Sequence, residues 1–145
     1  MTLNIITRNG WCSKKPPLWK PDLRPPVSNI YCCYTGTATC WDRRSCIAQM
    51  RRLQKFHIYK KSMHDIRYNF LIGGDGNMYE GRGWLYAAKI ENIMTLNYKS
   101  IIIAMIGAFK DRQPPDAMFE MLDSFINNGI KNGYIKENYE QHFPR

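Results

Sequence analysis

The 145-residue sequence contains no apolar run near the roughly 18 residues that a membrane-crossing helix requires, so no helical span is read from it. Its first residues, Met1 to Ile6, hold neither a basic stretch nor an apolar stretch of useful length, and no secretory signal is read there. Acidic residues are scarce: 12 Asp and Glu stand against 21 Lys and Arg, for a formal net charge of +9. That excess suits polyanions such as nucleic acid, anionic lipid or acidic wall polymers, without selecting among them. The five cysteines, Cys12, Cys32, Cys33, Cys40 and Cys46, include no Cys-x2-Cys element, which disfavours a zinc cluster. Their odd number leaves at least one thiol unpaired. There is no internal repeat or low-complexity tract, and a single domain of this length can bury a sizeable core.

What is present divides in two. Residues 1–29 are rich in proline (Pro16, Pro17, Pro21, Pro25, Pro26) and read as an extended arm pinned to the domain by Trp11 and Trp19. Residues 30–145 read as the domain proper. Asn29 to Thr35 forms a short buried strand. Asp42 is an N-cap for a helix from Arg43 to Tyr59, with Cys46, Met50, Leu53 and His57 at helical spacing on its apolar face. Arg43, Arg44, Arg51, Arg52 and Lys55 lie mostly elsewhere, as a solvated face or a polyanion-binding one. Leu85 to Tyr98 is irregular. Ser100 to Ile106 is almost continuously apolar, which suits a central strand covered on both sides. Pro114-Pro115-Asp116 opens a second helix, whose stripe is Ala117, Met118, Met121, Leu122, Phe125 and Ile126. Gly129 and Gly133 are read as its end. Cys32 and Cys33 are adjacent in a strand, so they point to opposite faces and do not both join one metal site. Cys12 is left to pair with either if the arm passes close.

The stretch His64 to Trp84 organises the rest. Arg67 to Ile72 is aromatic and branched. Gly73-Gly74-Asp75-Gly76 supplies a hairpin turn, and Asn77 to Glu80 returns. Gly81-Arg82-Gly83-Trp84 then leaves the sheet, with two glycines that permit close backbone approach around a projecting cation and indole.

These residues resemble the peptidoglycan recognition protein family. The resemblance rests on Asp65-Ile66, Tyr68-Asn69-Phe70-Leu71, Gly74-Asp75-Gly76 and Tyr79 to Trp84. Thr35, Cys40, Cys46, Gln54, Phe56 and His57 add to it upstream, and Ile106-Gly107, Phe109 and Pro115 downstream. It runs from about Ile6 to Tyr139. It implies an α/β fold with a central mixed sheet flanked by helices, shared with zinc-dependent N-acetylmuramoyl-L-alanine amidases. Some members cleave peptidoglycan; others only bind it and signal in innate immunity. The resemblance also implies a Cys40–Cys46 disulfide. A disulfide speaks for an oxidising compartment and the absent signal for the cytosol, so the compartment stays open.

The resembled amidases take a first zinc ligand from a His-His-Thr motif, whose equivalent here is Cys33-Tyr34-Thr35. Their other ligands are a His and a Cys beyond the position of Tyr139. His142 falls near the expected His, and no Cys follows it. Too few ligands remain for a catalytic zinc. Tyr68 matches the tyrosine that polarises the scissile amide, and without a metal it is expected to be inactive. The expectation is therefore a domain without cofactor that binds bacterial peptidoglycan or muramyl peptide, with no nucleic-acid partner. Cleft positions carried over from the family are Thr35, His57, Tyr68, Arg82, Trp84 and Asn97. Two elements depart: Ala88-Lys89-Ile90 replaces Gly-Ala-His, and Ser62-Met63 replaces the pair that discriminates stem peptides, so the ligand type is open. The family's last helix is absent from the sequence, which is expected to leave an apolar sheet face bare. The alternatives are a zinc amidase, and a degenerate interaction domain that uses that face for a protein partner or a second copy.

Overall fold

The computed structural model describes residues 3–11, 13–14, 20–88 and 98–143. Its elements are β1 (Ile5–Ile6), a 3-10 turn (Asn9–Trp11), β2 (Val27–Tyr34), α1 (Arg43–Tyr59), β3 (Phe70–Ile72), β4 (Met78–Glu80), β5 (Ser100–Met105), α2 (Asp116–Lys131) and β6 (Ile135–His142). They build one six-stranded sheet in the order β1-β4-β3-β5-β2-β6. Only β3 and β4 pair antiparallel; every other neighbour is parallel, so the sheet is mixed.

The apolar run 100–105 lies at the sheet's centre, parallel to both β2 and β3, and all six residues are buried. Its side chains alternate between two cores. Ile101, Ile103 and Met105 join Ile30 and Cys32 beneath Met118, Leu122, Phe125 and Ile126 of α2. Ile102 and Ala104 join Leu71 and Tyr79 beneath Cys46, Met50 and Leu53 of α1. Each fully buried aliphatic side chain of this kind stabilises by about 1.5–3 kcal/mol.

α1 begins where Asp42 predicts. The Asp42 carboxylate accepts the Ser45 backbone N–H at 2.8 Å, and the Ser45 hydroxyl accepts the Asp42 N–H at 3.2 Å, a reciprocal cap. The Cys40–Cys46 disulfide then ties the preceding loop to the first turn.

Three expectations are corrected. Gly129 does not end the second helix; it is buried within it, packed so closely against Ile135 that a Cβ would overlap that side chain. Gly133, at φ +82°, is the terminator. No bare apolar sheet face is found among the described residues. The central strands are covered by a helix on each side, and the exposed large apolar side chains are scattered from Trp41 to Phe143. Finally, the sequence reading contains neither β1 nor β6. The β6 sequence IKENYEQH buries only Ile135, because an edge strand is held by its backbone ladder to β2 and shows little hydrophobic alternation.

The arm is more ordered than its prolines suggest. Trp11 is fully buried and donates its indole N–H to Glu80 O at 2.7 Å. Gln54 of α1 bonds both the N–H and the carbonyl of Lys14. Trp19 and Cys12 lie outside the described residues.

Candidate functional site

The C-terminal ends of β2 and α1, the turn after α1 and the glycine-rich exit from β4 converge on one region. Asn69 fixes that exit. Buried within the hairpin, it donates to Gly83 O at 3.1 Å and Tyr86 O at 2.9 Å and accepts the Ile102 N–H at 2.9 Å. Its only sequence signal is an amide among apolar strand residues, and nothing in the local pattern assigns it an organising role.

His57 lies on the buried face of α1. Its Nδ1 accepts the Arg67 backbone N–H at 3.1 Å, which places the proton of the neutral ring on Nε2. Burial, helped by the Arg67, Arg82 and Lys61 cations, pushes its pKa down to about 4. Its ring meets Tyr68 edge-on at 5.4 Å. Burial pushes the Tyr68 phenol up to about 12 and the Cys33 thiol up to about 11. At neutral pH this wall is thus uncharged: a neutral imidazole, a phenol and a thiol, with the Arg67 cation beside all three. Such a set donates and accepts hydrogen bonds but offers no ready nucleophile. Thr35 ends β2. Its hydroxyl accepts the Gly107 N–H at 2.9 Å and lies 2.8 Å from the Thr37 hydroxyl.

An open cleft of about 640 Å³ adjoins this wall. Lys20, Lys61, Arg67 and Arg82 line it against the one carboxylate of Asp22, so its potential is positive. Ser62 and Met63, the departing pair, also line it. Ser62 turns the chain off α1 in the left-handed region, at φ 55°. Arg67 carries no carried-over family role in the sequence reading. Its guanidinium makes no side-chain hydrogen bond or ion pair among the described residues.

Two expected cleft residues behave differently. Arg82 donates from Nε to Ile66 O at 2.7 Å and from Nη1 to Ala87 O at 3.1 Å, so it braces the cleft wall as well as lining it. Trp84 is not on the cleft side. It packs under α2, with ring centroids 5.0 Å from Phe70, 5.7 Å from Phe125 and 4.7 Å from Tyr134. Gly83, at φ 71°, turns the chain so that the indole joins the opposite core. Asn97, Lys89 and Ile90 lie outside the described residues.

The residues present do not fit a catalytic zinc. β6 runs parallel to β2 with His142 opposite Tyr31, two residues short of Cys33. His142 stacks on Tyr31 at 4.4 Å, and its Nε2 lies 3.0 Å from Asn29 Oδ1. The imidazole is thus engaged toward Asn29, the end of β2 opposite to Cys33. Among the described residues no three His, Cys, Asp or Glu side chains are grouped to hold a metal ion.

A mixed sheet between two helices, with a cleft at the C-terminal end of the first, defines an amidase-type domain. The family described as N-acetylmuramoyl-L-alanine amidase matches residues 23–143, and the chain belongs to that family. Within it, the chain is similar to peptidoglycan-recognition proteins. It is 32% identical over 143 residues to peptidoglycan recognition protein 1 of Bos taurus, covering 94% of this chain and 71% of that one. With peptidoglycan-recognition protein LC of Drosophila melanogaster it shares 34% over 139 residues, 96% of this chain and 27% of the relative. The chain spans only 27–39% of the length of several such relatives. Its fold superposes at TM-score 0.89 and 32% identity on the crystal structure of peptidoglycan recognition protein-LE in complex with tracheal cytotoxin, a monomeric diaminopimelic acid-type peptidoglycan. That match covers 96% of this chain and 81% of the other.

Proposed function

We propose that this domain recognises muramyl peptides of bacterial peptidoglycan without cleaving them, as a sensing module of innate immunity. The cleft carries the reading. It is lined by four cations for stem-peptide carboxylates, and behind Arg67 the uncharged His57 and Tyr68 supply donors and acceptors for peptide groups. The family and the tracheal cytotoxin complex of a similar fold support this ligand class. A binding rather than hydrolytic role is supported by the donor set: a protonated thiol at Cys33 and a His142 already engaged by Asn29 and Tyr31.

Calorimetric titration with muramyl tripeptides ending in diaminopimelate or in lysine tests the proposal. Saturable binding of at least one of them, with no release of free peptide on prolonged incubation, is expected. Flat titrations with both, or release of peptide, overturn it.

A further inference from the structure

One face of the molecule lies outside the cleft except at Lys61, on their shared border. From Arg43 to His64 there is no acidic residue, while Arg43, Arg44, Arg51, Arg52, Lys55, Lys60 and Lys61 are all exposed. On α1, Arg44, Arg51, Arg52, Lys55, Phe56 and Tyr59 fall within an arc of about 140° at 100° per residue, the side turned away from the sheet. Two aromatic rings stand in this field, Phe56 at 47% and Tyr59 at 62% exposure. Lys61 Nζ lies 5.7 Å from the Phe56 ring centroid; Lys14 Nζ lies 5.0 Å from that of Tyr59 and 2.7 Å from its hydroxyl. On the opposite side of the sheet, α2 exposes Asp116, Glu120 and Asp123 and one base, Lys131. The domain is therefore electrically polarised across its sheet.

We propose that the outer face of α1 docks on an anionic phospholipid bilayer. The basic side chains reach the headgroup phosphates, and Phe56 and Tyr59 settle at the interfacial level. The acidic face of α2 then points away from the membrane, and this opposition favours a planar anionic surface over a flexible polymer. The face is a single convex helix with no groove along which a nucleic-acid strand would track. A lysine ammonium already lies within about 6 Å of each exposed ring, over Phe56 and at the hydroxyl end of Tyr59, which brings a competing cation to any stacked base.

Co-sedimentation with phosphatidylcholine vesicles, with and without phosphatidylglycerol, tests the docking on the whole chain. Binding to the anionic vesicles alone, weakened by salt, is expected. The triple variant R44Q/R51Q/K55Q should bind at least about tenfold more weakly. The triple variant K110Q/R112Q/K136Q makes the same charge change at exposed positions elsewhere and should bind like the parent. F56S/Y59S should weaken vesicle binding several-fold, as roughly expected for interfacial aromatics, and leave retention on duplex DNA unchanged. Melting curves verify that each variant is folded. No binding to anionic vesicles overturns the proposal, as does equal weakening of both triple variants, which would reflect net charge alone. An inert F56S/Y59S pair with duplex DNA outcompeting vesicles overturns it in favour of a nucleic-acid surface.

Discussion

Arg8 of the N-terminal arm grips Asp65, the residue that opens the cleft-lining segment into β3. Arg8 Nη1 lies 2.9 Å from Asp65 Oδ2, and Nη2 donates to Oδ1 at 3.1 Å. Asp65 is 1% exposed, and its Oδ1 also accepts from Gln54 and from the Ile66 N–H. Oδ2 has the ion pair and no hydrogen bond of good geometry. The same guanidinium donates to Gly81 O at 2.7 Å, so one side chain joins the arm to both ends of the hairpin, and Asp65 carries the link on to Gln54 of α1.

Arg8→Ala leaves that carboxylate buried and uncompensated, and is expected to cost about 3–5 kcal/mol of unfolding free energy. The double variant R8M/D65N should cost less than the sum of its single changes, because neither partner is then stranded. Denaturant titrations of the four proteins check this; additive effects would mean that the pair is not coupled.

The separation of Trp84 from the cleft has its own consequence. Trp84→Ala removes an indole packed on Phe70, Phe125 and Tyr134 and should lower stability by about 3 kcal/mol, while muramyl peptide affinity is retained. Arg67→Ala should do the reverse. It leaves the melting temperature unchanged and weakens a carboxylate ligand by about tenfold, the loss of one charge-assisted hydrogen bond. Paired calorimetry and thermal melts separate the two roles.

His57 makes stability depend on pH. Its folded value of about 4 lies below the ordinary 6.5, so as pH falls the unfolded chain takes up the proton first. The stabilisation is full above about 6.5. It declines as pH falls toward about 4 and changes no further below that value. His57→Gln removes the titration and keeps an acceptor for the Arg67 N–H. Denaturation midpoints at closely spaced pH values should show a shallower loss in this variant across that window.

The Cys33 thiol, pushed up to about 11, should behave as a poor nucleophile. Peptide mapping after brief alkylation at pH 8 is expected to find Cys32–Cys33 largely unmodified in the folded protein and fully modified once unfolded. Dialysis against zinc followed by metal analysis should leave no stoichiometric ion. Cys33→His should not change that, because His142 is engaged by Asn29 and Tyr31 and no third ligating side chain is grouped with them among the described residues.

Much of the architecture is legible in the residues, for local reasons. Asp42 marks the start of α1, because a carboxylate three residues before an orphan N–H satisfies it. The unbroken run of isoleucines marks the central strand, because only a strand covered on both faces tolerates no polar alternation. The Asp75-Gly76 turn marks the hairpin that β3 and β4 form. β6 escapes the same reasoning, because its order comes from backbone pairing with a strand more than a hundred residues earlier.

The amino-acid order alone thus settles both helices, the hairpin and the central strands, the disulfide partners carried by the family likeness, and the basic excess concentrated on one helix. Only the folded chain decides which side of the sheet each functional side chain occupies. A single left-handed glycine at position 83 sends Trp84 into the α2 core, and one strand register sets His142 against Tyr31 and Asn29. The physical reason is that facing and register are set by long-range packing and ladder hydrogen bonds, which leave no mark on local sequence periodicity.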